Sequence, residues 1–300
     1  MLIRLRRPTR SKPLRGLIAA LIFVSLIGSI AGATGSHGTV VSPQVNEKTL
    51  VCVVSGESVD PVVFVERGKL LQPYLEEKEK ERSLFANEYF KAGRKYRLTF
   101  GGGDQGTATI TKWDTGCNNV HAVAELKTAA KLGGRVMALA TNSETLGHKP
   151  AARRAPTTAE RAALMAVVKR VYRAKGAAAS LLPRITTTNL TATDLDGDGQ
   201  YEFVGSFVIA TPNKFRRDLF LITESEASGY KEALVEYQSY KLPPEGFASA
   251  IDFVDQLDLD GDNVGEVFTI QGGFDAYGYA IYKRQKLRWR KVYSFVGDAC

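Results

Sequence analysis

Two short acidic stretches carry the residues best suited to chemistry in this 300-residue chain. Asp194, Asp196, Asp198 and Glu202 stand at positions 1, 3, 5 and 9 of the first, and Asp258, Asp260, Asp262 and Glu266 repeat that spacing 64 residues on. Alternate residues of a tight loop turn their carboxylates to one side, and a closing Glu completes the all-oxygen shell that Ca²⁺ favours. Gly197, Gly199 and Gly261 permit the sharp turn, and Asn263 tolerates a left-handed backbone where the first loop has Gly199. Without a cation the converging carboxylates repel one another, so a metal-free loop is expected to be loose or partly protonated. The competing reading is an ordinary Asp/Gly hairpin turn whose carboxylates cap backbone amides. Two copies with matched positions weigh against it.

The elements that must position these acids are strands. An EF-hand needs a bidentate acid at position 12, where this chain has Gly205 and Thr269. The runs that follow the loops, residues 203–210 and 267–270, are β-rich where an EF-hand requires a helix. Each loop is therefore expected to close a strand-to-strand turn. From about residue 185 the pattern duplicates: an entering strand, the loop, a strand after the closing Glu, and two more strands at 219–223 and 233–237, then at 277–282 and 287–295. A four-strand period of this length is the size of one propeller blade.

With these loops and flanks, residues 183–300 resemble FG-GAP/VCBS repeats, the calcium-loop units of integrin alpha-chain propellers and of many secreted bacterial proteins. The resemblance implies one Ca²⁺ per loop, held by side chains at positions 1, 3, 5 and 9 and by the carbonyl at position 7. In this chain those are Asp194, Asp196, Asp198, the Gln200 carbonyl and Glu202, then Asp258, Asp260, Asp262, the Val264 carbonyl and Glu266. The Phe-Gly and Gly-Ala-Pro flanks of the family are absent, and Glu replaces the usual Asp at position 9. Residues 34–300 are too few for seven such units, which excludes a full integrin-type propeller. Two arrangements remain: a smaller closed assembly completed by N-terminal strands, or two calcium-loop sheets beside a separate N-terminal β domain.

Residues 1–33 read as a signal peptide: Arg4, Arg6, Arg7, Arg10, Lys12 and Arg15, an apolar run over 17–30, then Ala31-Gly-Ala33 as a cleavage site. The reading predicts secretion or export to a periplasm, with an uncleaved membrane anchor as the alternative. Removing six basic residues leaves 34 against 32 acidic ones, so the whole-chain pI of 9.3 gives no argument for a nucleic-acid partner. Cys52, Cys117 and Cys300 remain; a Cys52–Cys117 bridge suits an oxidising compartment, and pairing of either with Cys300 stays open.

Residues 34–145 read as a β-rich N-terminal domain, with short runs at 50–54, 62–65, 96–100, 107–111, 120–126 and 136–140 and a glycine turn at 101–106. Residues 74–90 predict a polar surface helix. Residues 142–157 read as a linker, and residues 146–182 as linker plus amphipathic helix. In that helix Thr157 and Glu160 form a capping box, Leu164, Val168 and Val171 share a face, and Gly176 ends it. Lys169, Arg170, Arg173 and Lys175 at its C-terminal end suit the helix dipole better than they argue for a docking helix. The fold class expected is mainly β, with propeller-blade-like repeats and one or two helices.

No catalytic constellation emerges. His37 and His148 lie in segments without predicted structure, while His121 with Cys117 and Asp114 makes a weak nucleophile or metal set. No nucleophile elbow, zincin helix or phosphate-binding loop is present. Tyr277, Tyr279, Tyr282, Trp289 and Tyr293 alternate along the last strands, where cross-strand packing is favoured over a sugar-stacking face. Two functions follow as expectations. One is an exported, non-enzymatic calcium-binding protein that presents a surface to a protein or cell-surface glycan. The other is an exported hydrolase of cell-wall or extracellular polymer, with structural calcium and catalytic acids within residues 40–150.

Overall fold

A computed structural model describes residues 48–74, 78–147, 152–211, 214–226, 229–241, 249–273 and 276–299. The expected signal peptide, His37, His148 and Cys300 lie outside the described residues. The fold is mainly β, as expected.

The N-terminal strands close on themselves. β1 (Thr49–Ser55), β2 (Ser58–Glu66), β4 (Lys95–Phe100), β5 (Gly103–Thr115), β6 (Val120–Thr128) and β7 (Ala138–Thr141) form a six-strand antiparallel barrel in the order β1-β7-β4-β5-β6-β2, and β2 pairs back onto β1. β3 (Lys69–Leu71) hangs from β2. Apart from the stretch of β2 that β3 covers, closure leaves these six strands no edge with which to extend another sheet. The N-terminal strands thus form a closed barrel instead of supplying further blades, and their core is continuous with one face of a C-terminal sheet.

The helix expected over 74–90 is α1 (Glu79–Tyr89), and it is less a surface element than its charges suggested. Phe85, Ala86 and Tyr89 are buried in the barrel core, where Phe85 and Tyr89 stack at 5.1 Å and Tyr96 Oη donates to the Tyr89 carbonyl at 2.5 Å.

β9 (Thr186–Thr193), β10 (Glu202–Thr211), β11 (Phe215–Glu226) and β12 (Gly229–Lys241) form one antiparallel meander. β13 (Asp252–Leu257), β14 (Glu266–Gly272), β15 (Ala276–Gln285) and β16 (Arg288–Ala299) form a second with the same strand order. In each, the acidic loop joins the first strand to the second. α2 (Thr158–Ala174) carries the expected capping box and buries Leu164, Val168 and Val171, adding Val167 and Tyr172 to that face.

Three apolar clusters stack these parts in layers. α2 packs on the first sheet through Phe203, Phe207, Leu219 and Leu221. The opposite face of that sheet, with Val204, Phe220 and Ile222, meets Phe253, Val267, Tyr282 and Trp289 of the second sheet. The other face of the second sheet, with Val254, Phe268, Ile281 and Phe295, joins the barrel core. Sheets covered on both faces explain why residues 203–209 and 219–222 are apolar almost without alternation.

Two expectations need revision. Part of the segment read as a linker is structural: Arg153 and Arg154 form β8 (Arg153–Arg154), which pairs with Thr193 and Ala192 at the end of β9. Cys52 is free and fully buried, so its bridge to Cys117 is not formed. Its Cβ lies on a core-facing strand, which fills the site with a small apolar group.

Candidate metal centres

The two loops are built alike, bond for bond. In the first, Asp194 Oδ1 accepts from Gly197 N at 2.6 Å and Oδ2 from Gly199 N at 3.0 Å, while Asp198 Oδ1 accepts from Gln200 N at 2.7 Å. In the second, Asp258 accepts from Gly261 N at 2.7 Å and Asn263 N at 3.0 Å, and Asp262 from Val264 N at 2.9 Å. The closing acids reach back across each loop, Glu202 Oε2 to Leu195 N at 2.8 Å and Glu266 Oε2 to Leu259 N at 2.7 Å. Asn263 adopts φ +70°, matching the +85° of Gly199, so the replacement preserves the turn.

Capping of amides is also what an ordinary Asp/Gly turn provides. Two features exceed it. Glu202 and Glu266 are 6% and 3% exposed. Burial pushes the Glu202 carboxyl up to about 8, with Asp196, Asp198 and Asp194 adding to the rise against the Leu195 N–H. Burial likewise pushes Glu266 up to about 7, opposed by the Leu259 N–H and by Lys283. The second feature is Asp196 Oδ1, which is buried and accepts no hydrogen bond among the described residues. A buried acceptor without a donor is costly, and a cation removes that cost.

Oxygen atoms of Asp194, Asp196 and Glu202 lie within 4.8 Å of one another, as do those of Asp258, Asp260 and Asp262. Both sets are all-carboxylate, the donor chemistry of hard cations such as Ca²⁺ and Mg²⁺ rather than of thiophilic metals. Asp198 and Glu266 fall outside these two triads. Gln200 and Val264 contribute N–H donors to the position-5 acids.

Residues distant in sequence hold the loops side by side. Gly265 N donates to the Leu195 carbonyl at 2.7 Å, joining loop to loop directly. Gln256, 3% exposed on β13, donates from Nε2 to Thr193 Oγ1 at 2.7 Å and to the Asp194 carbonyl at 2.8 Å. Asp194 N donates to the Ala152 carbonyl at 3.1 Å, and Ala152 N to the Gly101 carbonyl at 3.2 Å, which ties the first loop to the barrel through β8. Beneath this lies a buried ion pair. Asp255 accepts from Gly101 N at 3.0 Å and meets Arg153 Nη1 at 3.2 Å. Arg153 also donates to the Met137 and Val254 carbonyls at 2.9 and 2.7 Å and lies over the rings of Phe100 and Phe253.

Both loops open onto one cleft of about 1220 Å³, closed on its barrel side by Arg67 and Gly68, by Gly101 and Gly102, and by Ser143, Thr145, Leu146 and Gly147. None of its acids comes from residues 48–147. Two smaller clefts, of about 530 and 410 Å³, also draw no acid from that region.

The other residues singled out in the sequence have packing roles. Tyr282 and Trp289 are buried between the sheets. Tyr277 and Tyr279 donate to Asp60 Oδ2 of the barrel at 3.2 and 2.8 Å, and Tyr293 to the Val62 carbonyl at 2.8 Å. His121 pairs across strands with Asp114, and no Cys/His metal group forms among the described residues.

Basic residues at the loops were not anticipated. Lys283 Nζ contacts Asp260 Oδ2, Glu266 Oε1 at 3.0 Å and Asp262 Oδ2 at 3.3 Å. Arg284 Nη1 contacts Asp196 Oδ2 at 2.9 Å and Glu224 Oε1 at 3.9 Å. Burial lowers the Lys283 ammonium, but hydrogen bonds to Asp260 and Glu266 outweigh it and hold the group charged. No family model, curated protein or solved structure matches this chain.

Proposed function

We propose that this is an exported, non-enzymatic calcium-binding protein of FG-GAP/VCBS type, whose two propeller-blade-like sheets are made rigid at their acidic loops. The observation that carries the reading is the recurrence of the same four backbone-to-carboxylate bonds in both loops, each closed by a buried Glu. A turn that needed only amide caps has no use for a buried acid at its ninth position. Calcium bound there turns like-charge repulsion into attraction and stiffens the strand ends that flank the cleft. The surface offered to a protein or cell-surface glycan is the rim of the cleft that both loops line. The alternative, an exported hydrolase of extracellular polymer, calls for acids outside the loops converging in a cleft. The clefts described draw their acids from the loops alone.

Thermal unfolding with calcium and with chelator tests the metal. At about ten times its dissociation constant, on the order of 10⁻⁴–10⁻³ M for extracellular modules, calcium stabilises by about 1.4 kcal/mol. In a protein of this size that raises Tm by about 3–6 °C. The Asp196→Ala/Asp260→Ala variant should not respond. An unchanged wild-type Tm at millimolar calcium would show the metal reading to be wrong.

A further inference from the structure

We propose that Lys283 is the resident cation of the second loop, so that the loops are unequal: the first is the divalent-cation site, and the second takes a divalent ion only by expelling the lysine. This rests on the calcium reading of the loops and deepens it.

The ammonium carries three N–H donors, and it contacts three of the loop's four acids, Asp260, Asp262 and Glu266. Its side chain is 22% exposed, so most of it lies within the protein rather than trailing in solvent. A divalent ion entering among the same oxygens would meet a like charge at contact distance. It would also have to return the ammonium to water without its partners.

The first loop differs on every count. Its cationic neighbour, Arg284, contacts a single loop acid, Asp196, and does so through Oδ2. Asp196 Oδ1 remains buried and without a donor among the described residues. In the second loop the acids at positions 3 and 5, Asp260 and Asp262, are exposed instead of buried.

The origin of the difference is one position on the third strand of each sheet. Continuing the register from Val267 opposite Tyr282 sets Lys283 against Glu266. Continuing it from Val204 opposite Ile222 sets Glu224 against Glu202. Equivalent positions thus carry opposite charges: on the first sheet an acid, Glu224, whose own partners are Lys231 at 3.5 Å and Arg284 at 3.9 Å, and on the second a base that contacts the loop acids directly. Sequence spacing hides this correspondence, because the 64-residue period pairs Lys283 with Leu219.

Calcium bound per chain, measured by equilibrium dialysis at millimolar free calcium, tests the assignment. The wild type should bind one ion and Lys283→Gln two, the second at least tenfold tighter than in the wild type, which is about 1.4 kcal/mol. Asp196→Ala should bind none, and Asp196→Ala/Lys283→Gln one. Glu224→Lys, which installs an ammonium opposite Glu202, should lose the first site; it tests the same idea independently if Lys283→Gln fails to fold. Two ions in the wild type with affinities unmoved by Lys283→Gln would overturn the inference and leave the calcium reading standing. No calcium in either the wild type or Lys283→Gln would overturn both.

Discussion

The pair Arg153–Asp255 should be the most sensitive point of the scaffold that sets the two loops in place. The Asp255 side chain is fully buried and that of Arg153 is 4% exposed. Truncating one partner strands the other charge, which in buried pairs costs about 3–5 kcal/mol. Arg153→Met also removes the donors to the Met137 and Val254 carbonyls. In a protein of this size each kcal/mol shifts Tm by about 2–4 °C, so either single variant should melt about 6–20 °C lower. The double variant Arg153→Met/Asp255→Asn leaves no stranded charge and should cost at least about 2 kcal/mol less than the sum of the singles. The penalty should also depend on pH. Burial pushes the Asp255 carboxyl up to about 6, against the pull of Arg153 and of backbone N–H donors. A carboxyl raised in the folded state stabilises below its unfolded value near 4, and that contribution is lost as pH rises through the folded value. Without Arg153 the folded value rises further, so Arg153→Met should be less harmful at pH 5 than at pH 8. The assay is thermal unfolding followed by far-UV circular dichroism in chelator, on the wild type, both singles and the double. Single variants within about 1 kcal/mol of wild type, or a strictly additive double, would refute the argument.

Calcium and protons should compete at the loops. Glu202 and Glu266, raised to about 8 and about 7, favour the protonated form in the metal-free fold, so stability in chelator should fall as pH rises through 7 and 8. Because the ion needs the ionised acid, the gain in Tm from calcium should be larger at pH 8.5 than at pH 5.5, and an increment independent of pH would count against Glu202 as a ligand. Gly265→Ala should separate the loops, since a Cβ there runs into the buried Gln256 side chain. Overpacking of this kind costs about 1–3 kcal/mol and should weaken calcium binding as well, whereas a Tm within 1 °C of wild type would show that Gln256 can yield.

The expected blocks of strand correspond to strands of the fold because their signals are local. Alternation, glycine turns and β-branched runs at 50–54, 96–100 and 120–126 reflect the pleat itself. Thr157 and Glu160 are three residues apart and form their capping box within one helical turn. The helix at 79–89 was harder to judge. Its charge run signals solvent, and only the packing of Phe85 and Tyr89 into the barrel reveals the buried face. Arg153 gave no warning either. Within an Ala, Arg and Pro segment it resembles a linker residue, and its burial depends on an aspartate 102 positions later.

By itself, then, the sequence determines the acid spacing of the two loops, the left-handed positions within them and the strands on either side. Each of these is settled by residues within about one turn or one hairpin of each other. Tertiary structure alone decided the rest. It closed the N-terminal strands into a barrel rather than further blades, and it brought Leu195 against Gly265 and Arg153 against Asp255. It also set Glu224 across the strands from Glu202 and Lys283 against Glu266. Strand register across a sheet follows from which faces are buried and which neighbours cover them, a property of the packed whole. Two loops with matched acids in the sequence therefore meet different basic neighbours in the fold, Arg284 at one acid of the first and Lys283 at three of the second.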